Sequence, residues 1–198
     1  ASRLGAFPFP AGSLDSALYT TSAVRAFTVH LAGKDAATGV ALAELFFAGS
    51  PPVDSTSPRV VNFSVRTHAG IGDDTLIVGF TLVGDNTRNV LIRAIGPGLA
   101  RFGVTDTLPD PVLTLFRETK PIAINDDWGP TFEAWVTLRE AFGIVGAFPL
   151  ESAESWIAPN ASKDAALLIS LAPGNYTAQV NGKAGATGIA LVEVYEIP

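Results

Sequence analysis

Along residues 59–198, apolar side chains recur at every second position in short runs, the period of a half-buried β-strand. The alternation predicts strands at 60–68, 75–83, 89–95, 112–117, 122–125, 165–171, 176–181 and 188–196. Clusters rich in Gly, Asn, Asp and Pro separate them, at 70–74, 84–86 and 172–175, because these residues accept or preset turn backbone. One stretch has a different period. Phe132, Trp135, Val136 and Phe142 fall at helical spacing, with Glu133 in the first turn, Arg139 near the end and Gly143 beyond, which predicts a helix over 132–142 that plugs one end of the fold. Many short strands with this punctuation and a single short helix predict an all-β, jelly-roll-like sandwich.

The chain also repeats itself. Gly5-Ala6-Phe7-Pro8 returns as Gly146-Ala147-Phe148-Pro149, and residues 26–47 align with 175–196 at an offset of 149 with nine identities in 22 positions. Asp15 and Asp164 open the first strand of each copy, and the second copy carries an insertion over 152–163. Between the copies, residues 50–58 hold three prolines and read as a linker that can extend up to roughly 30 Å. The domain organisation expected is a partial repeat at 1–49, a Pro/Ser linker at 50–58 and a complete β-sandwich at 59–198. The partial repeat holds only the closing third of a unit, as three strands. Phe27, Leu31, Val40 and Leu42 are expected to face inward as Tyr176, Val180, Ile189 and Leu191 do.

Composition narrows the function classes. The 198 residues contain no cysteine, which removes disulfides, thiolate metal sites and a cysteine nucleophile. The formal net charge of −6 with scattered basic residues argues against a nucleic-acid surface. No apolar run is long enough for a membrane-spanning helix. Charged residues make up 16 % against 47 % hydrophobic, with mean hydropathy +0.32, so more surface is expected to be buried than one sandwich hides. Ala1 in place of Met fits removal of an export segment.

Little in the chain points to catalysis. Gly96-Pro97-Gly98 follows a strand but lacks the rest of a phosphate-loop motif, so it reads as a structural turn. His30 and His68, the two histidines, have no partner at metal or triad spacing, and His30 is replaced by Gln179 in the second copy. The acidic turns at Asp73-Asp74 and Asp126-Asp127 could offer oxygens to calcium, with Asp126 and Asp127 first, although neither has a spaced ligand ladder. Glu44 and Glu193 sit at matched positions in strands apolar on both faces, which requires either an edge position or a basic partner across a contact. Asn62, Asn160 and Asn175 head N-x-S/T sequons.

The runs VLIRAIGPGLARFGV, DPVLTLF, AINDDWG, KDAALLISLAPGNYTAQVNG and ATGIALVEVYEIP resemble a repeat of large secreted and surface proteins of environmental bacteria. More distantly, the order from LTLF through AINDDW to GIALVEVY is similar to the bacterial pre-peptidase C-terminal domain. That resemblance implies a jelly-roll-like sandwich appended to secreted enzymes, with calcium in some members at the turn occupied here by Asp126 and Asp127. The 1–49 copy and the 152–163 insertion depart from that pattern.

Together these features predict an extracellular or cell-surface protein without enzymatic activity or cofactor, apart from calcium at Asp126 and Asp127. Its partners are expected to be copies of itself, joined head to tail into a filament or sheath through Phe27, Leu31, Val40, Leu42, Glu44, Leu45 and Phe46. The other reading is an accessory carbohydrate- or protein-binding module of a larger secreted enzyme, for which a row of exposed aromatics on one sheet would speak.

Overall fold

The computed structural model describes residues 6–21, 26–48, 59–150 and 162–198. They fall into two units, Ala1–Val60 and Val61–Pro198. The 50–58 linker and most of the 152–163 insertion, with Trp156 and Asn160, lie outside the described residues.

The second unit holds β1 (Asn62–Ala69), β2 (Leu76–Leu82), β3 (Arg88–Ile95), β4 (Pro111–Arg117), β5 (Lys120–Asn125), α1 (Phe132–Val145), β6 (Ala165–Leu171), β7 (Gly174–Gly182) and β8 (Gly188–Glu196). Two four-stranded antiparallel sheets run β1-β8-β3-β6 and β2-β7-β4-β5, the strand order of a jelly roll. Each strand starts and stops within about two residues of the position its alternation predicts, since burial on one face fixes the phase of a strand. The helix runs three residues further than expected. Gly143 stays helical, and the stop is Gly146, whose φ of 69° lets the backbone N–H groups of Gly146 and Ala147 reach back to Gly143 and Phe142.

Two apolar layers form. Between the sheets, Val90, Ile92, Ala94, Val192 and Val194 meet Leu113, Leu115, Ala178 and Val180. On the outer face of the β1-β8-β3-β6 sheet, Leu91, Ile95, Ala166 and Tyr195 meet Trp135, Leu138 and Phe142 of α1, with Trp128 and Leu150 beside them. The helix therefore covers a sheet face and does not plug an end. The reason is in β3 itself: V-L-I-R-A-I is apolar in both phases, so both faces require cover. Part of the extra burial that the low charge predicts is thus supplied inside this one unit.

In the first unit, the described residues form one 3₁₀ turn at Lys34–Ala36 and no strand. The expected three-stranded arrangement is not paired here, and the second unit explains why. Its corresponding strands never pair with one another: β6 pairs with β3, β7 with β2 and β4, and β8 with β1 and β3. The segments that correspond to β6, β7 and β8 are therefore not ladder partners of one another.

Its local backbone nonetheless repeats that of the second unit. Gly33, Asp35 and Ala37 have φ/ψ of −69/142°, 54/36° and −59/144°, against −81/138°, 54/29° and −61/150° at Gly182, Ala184 and Ala186. A Cβ on Gly33 would lie 2.0 Å from the Ala37 carbonyl oxygen, as one on Gly182 would from that of Ala186, so glycine is required at both. The Ser13 hydroxyl bonds the Asp15 carboxylate and the Asp15 N–H donates to Ser13 Oγ at 3.1 Å. Ser162 and Asp164 make the same pair of bonds. The side-chain environments differ: Phe27 and Leu31 are exposed, whereas Tyr176 and Val180 are buried. Ile189 and Leu191 pack in the helix layer, so Val40 and Leu42 match that outer face and not the space between sheets. The counterparts of the inter-sheet residues Ala190, Val192 and Val194 are Ala41, Ala43 and Leu45.

Candidate functional site

The most constrained polar groups surround β3. Arg93 is its one charged residue on the helix side and is fully buried, directly across from Glu193 in β8. Its Nε and Nη2 donate to Glu193 Oε2 at 2.8 and 2.5 Å, and its Nη1 donates to the Phe148 carbonyl oxygen at 2.5 Å. The guanidinium carbon lies 4.8 Å and 4.5 Å from the ring centres of Phe142 and Phe148. Charge pairing, hydrogen bonding and ring contact therefore share the same desolvated guanidinium, which arginine's planar fork allows. Of the two positions open to Glu193, an edge or a basic partner, the structure gives the partner. β8 is flanked by β1 and β3, and the pair closes within one unit. Tyr195, two residues on, has its hydroxyl pKa pushed up to about 12, by burial first and by the Glu193 charge second.

One turn further, Asp164 is fully buried at the entry to β6. Its Oδ1 accepts from the Gly96 N–H at 2.8 Å, both oxygens accept from the Gly98 N–H at 3.1 Å, and Ser162 adds its hydroxyl. Burial pushes its carboxyl pKa up, against the pull of those donors and of Arg93. The N–H groups that a phosphate loop would turn to a ligand are occupied by Asp164. The Gly96-Pro97-Gly98 segment is accordingly a turn held by a carboxylate.

Asp126 and Asp127 each face a lysine. Lys183 Nζ donates to Asp126 Oδ2 at 2.8 Å, and Lys163 Nζ to the two oxygens of Asp127 at 3.0 and 3.1 Å. The Lys183 ammonium holds the Asp126 carboxyl below its ordinary value. Among the described residues, no three or more His, Asp or Glu side chains converge as a metal set. Calcium there would have to displace two ammonium groups, so millimolar Ca²⁺ is expected to leave the thermal unfolding midpoint unchanged. A calcium-dependent rise that Asp126→Asn abolishes would show a site.

His68 lies in β1 opposite Ile189, and both it and His30 are exposed. Among the described residues, neither donates to or accepts from a serine or a carboxylate. A shallow, open hollow between α1 and the β3–β6 edge is lined by Asn89, Thr137, Glu140, Ile144, Leu168 and Ser170, and the Ser170 hydroxyl there donates to Asn89 Oδ1. Asp73 and Asp74 sit in a 3₁₀ turn whose Asp74 carbonyl takes the Gly70 N–H, which is turn chemistry.

The interface residues named from the sequence, Phe27, Leu31, Val40, Leu42, Glu44, Leu45 and Phe46, all lie in the first unit and are all exposed. Glu44 and Asp15 stand where the second unit has Glu193 and Asp164. Sequence reasoning had the glutamates but not Arg93, whose signal was a lone basic residue in an apolar strand. It noted the aspartates as strand openers without their role.

No family model matches the chain, and no curated protein matches it. Among solved structures, it is similar to the pre-peptidase C-terminal domain of a collagenase from Bacillus anthracis. The identity is 12 %, the match covers 69 % of this chain and 89 % of that one, and the TM-score is 0.35. A likeness of that size carries no information on activity.

Proposed function

We propose that the chain is a non-enzymatic structural protein, working outside the cell or at its surface, that builds an extended assembly of β-sandwich units set head to tail. The units are copies of this chain, and residues 1–49 are the joining element. The observation that supports this reading is the contrast between two equivalent segments. Phe27 and Leu31 are each 63 % exposed where Tyr176 and Val180 are 3 % and 0 % exposed. Apolar faces of that extent on a segment with preset turns are characteristic of an interaction surface. The contact is heterologous, because a closing third meets a surface unlike itself, and a heterologous contact that does not close a ring propagates into a filament.

An accessory sugar-binding role is less favoured. The exposed phenylalanines of the second unit, Phe102 and Phe132, lie on a 3₁₀ turn and at the start of α1, not in a row on a sheet. The test is the solution mass of the full chain and of a form beginning at Val53, at equal concentration and over a range of salt. The full chain is expected to associate, to stay associated at high salt because the contact is largely apolar, and to lose association on removal of residues 1–52. A monodisperse monomer at all concentrations, or association indifferent to the deletion, overturns the reading.

A further inference from the structure

The first unit preserves more than an apolar pattern. It keeps three features that, in the second unit, are explained only by groups of β3 and the segment after it. Asp164 exists to receive the Gly96 and Gly98 N–H groups, and Asp15 repeats it, down to the serine bond. Glu193 exists to pair Arg93, and Glu44 repeats it in an apolar segment where an unpaired carboxylate would be costly once covered. Gly188 has no room for a side chain, since a Cβ there would lie 2.6 Å from the Leu108 nitrogen and 2.7 Å from the Thr107 carbonyl carbon. Its counterpart Gly39 keeps the same residue, yet nothing lies within 4 Å of a Cβ built on it.

We infer that the described residues 13–21 and 26–48 recognise the opening half of a β-sandwich of this same type, a polypeptide patterned like residues 62–125 that lacks closing strands of its own. The inference shares with the proposed function only the first unit as a joining element, and it gives that element a partner other than an intact copy of this chain. That partner brings an arginine for Glu44 and, three and five residues after it, two glycine N–H groups for Asp15. It also brings a leucine-bearing turn that settles against Gly39, as Arg93, Gly96, Gly98 and Leu108 do within the second unit. Backbone ladders complete the contact, as in strand addition generally, but here three strands enter two sheets at once. An intact copy does not offer this site, because its β1, β2, β3 and β4 are already paired by its own β6, β7 and β8.

The experiment co-expresses the full chain with a tagged probe consisting of residues 59–150. The probe is expected to co-purify with the full chain at one to one. Glu44→Ala is expected to weaken capture about thirtyfold or more, the cost of leaving a buried arginine unpaired across an interface. Gly39→Val is expected to abolish capture while leaving the unfolding of the second unit unchanged, which separates blocked docking from misfolding. Because the chain has no cysteine, Ala43→Cys in the full chain and Val65→Cys in the probe are expected to form a disulfide, matching the Val65 to Val192 register. Failure of the probe to co-purify, or capture that survives both substitutions, overturns the inference. Association of intact copies through residues 1–49 without probe capture leaves the assembly reading standing and this one wrong. A monomeric full chain that captures the probe has the reverse meaning.

Discussion

Replacing Arg93 by alanine is expected to lower the unfolding free energy by about 3–5 kcal/mol, the range for removing one partner of a buried ion pair. The Arg93 side chain is 0 % exposed and that of Glu193 9 %, which sets the pair apart from exposed pairs worth about 0–1 kcal/mol. The alanine variant leaves Glu193 charged beneath α1 and the Phe148 carbonyl without its donor, and it empties the space between two phenylalanine rings. Glu193→Ala is expected to cost a similar amount by stranding the guanidinium. Much of these losses is desolvation of the abandoned partner, so the double variant Arg93→Met/Glu193→Leu is expected to recover most of either single loss. Urea unfolding followed by the fluorescence of buried Trp128 and Trp135 reads all three. Single variants that cost under about 1 kcal/mol, or a double variant no better than the worse single, would show that the pair does not carry this part of the fold.

That pair also marks where sequence reasoning stops. Strand positions were legible because short apolar runs stand between turn clusters rich in Gly, Asn, Asp and Pro, and 165–171 and 188–196 were placed to the residue. The start of the helix was legible from the helical spacing of Phe132, Trp135 and Val136, and the structure adds the Thr131 cap, which that reading missed. Pairing was not legible. β6, β7 and β8 are adjacent in sequence and look like a meander, yet each takes its partners from strands some 70 to 130 residues earlier in most cases, and nothing in a local period encodes that. The same gap hid the partner of Glu193, 100 residues away, and the reason the first unit cannot form a sheet alone. Ile189 and Leu191 were assigned to the wrong layer because a strand apolar on both sides gives no phase to read.

Asp164 is the second place where one side chain holds distant segments together, and Asp164→Ala is expected to destabilise the chain by about 2–5 kcal/mol. The substitution leaves the buried N–H groups of Gly96 and Gly98 without an acceptor, each a loss of about 1–3 kcal/mol. Its pH dependence is distinctive. Burial raises the native carboxyl pKa above the ordinary 3.8, so the folded protein holds this proton more tightly than the unfolded chain does. Stability contributed through that proton is complete below the unfolded value and is lost as pH rises through the native one. The difference in unfolding free energy between the parent protein and Asp164→Ala is therefore expected to be widest below about pH 3.8 and to narrow toward neutrality. Asp126, whose carboxyl is held low by Lys183, has the opposite sign, with its contribution present above 3.8 and lost as pH falls. Denaturant unfolding of parent, Asp164→Ala and Asp126→Asn across acid pH separates the two. A gap for Asp164→Ala that widens from acid to neutral pH would mean that the donors of the Gly96–Gly98 turn outweigh burial, and that the ionised carboxylate is the form the fold selects.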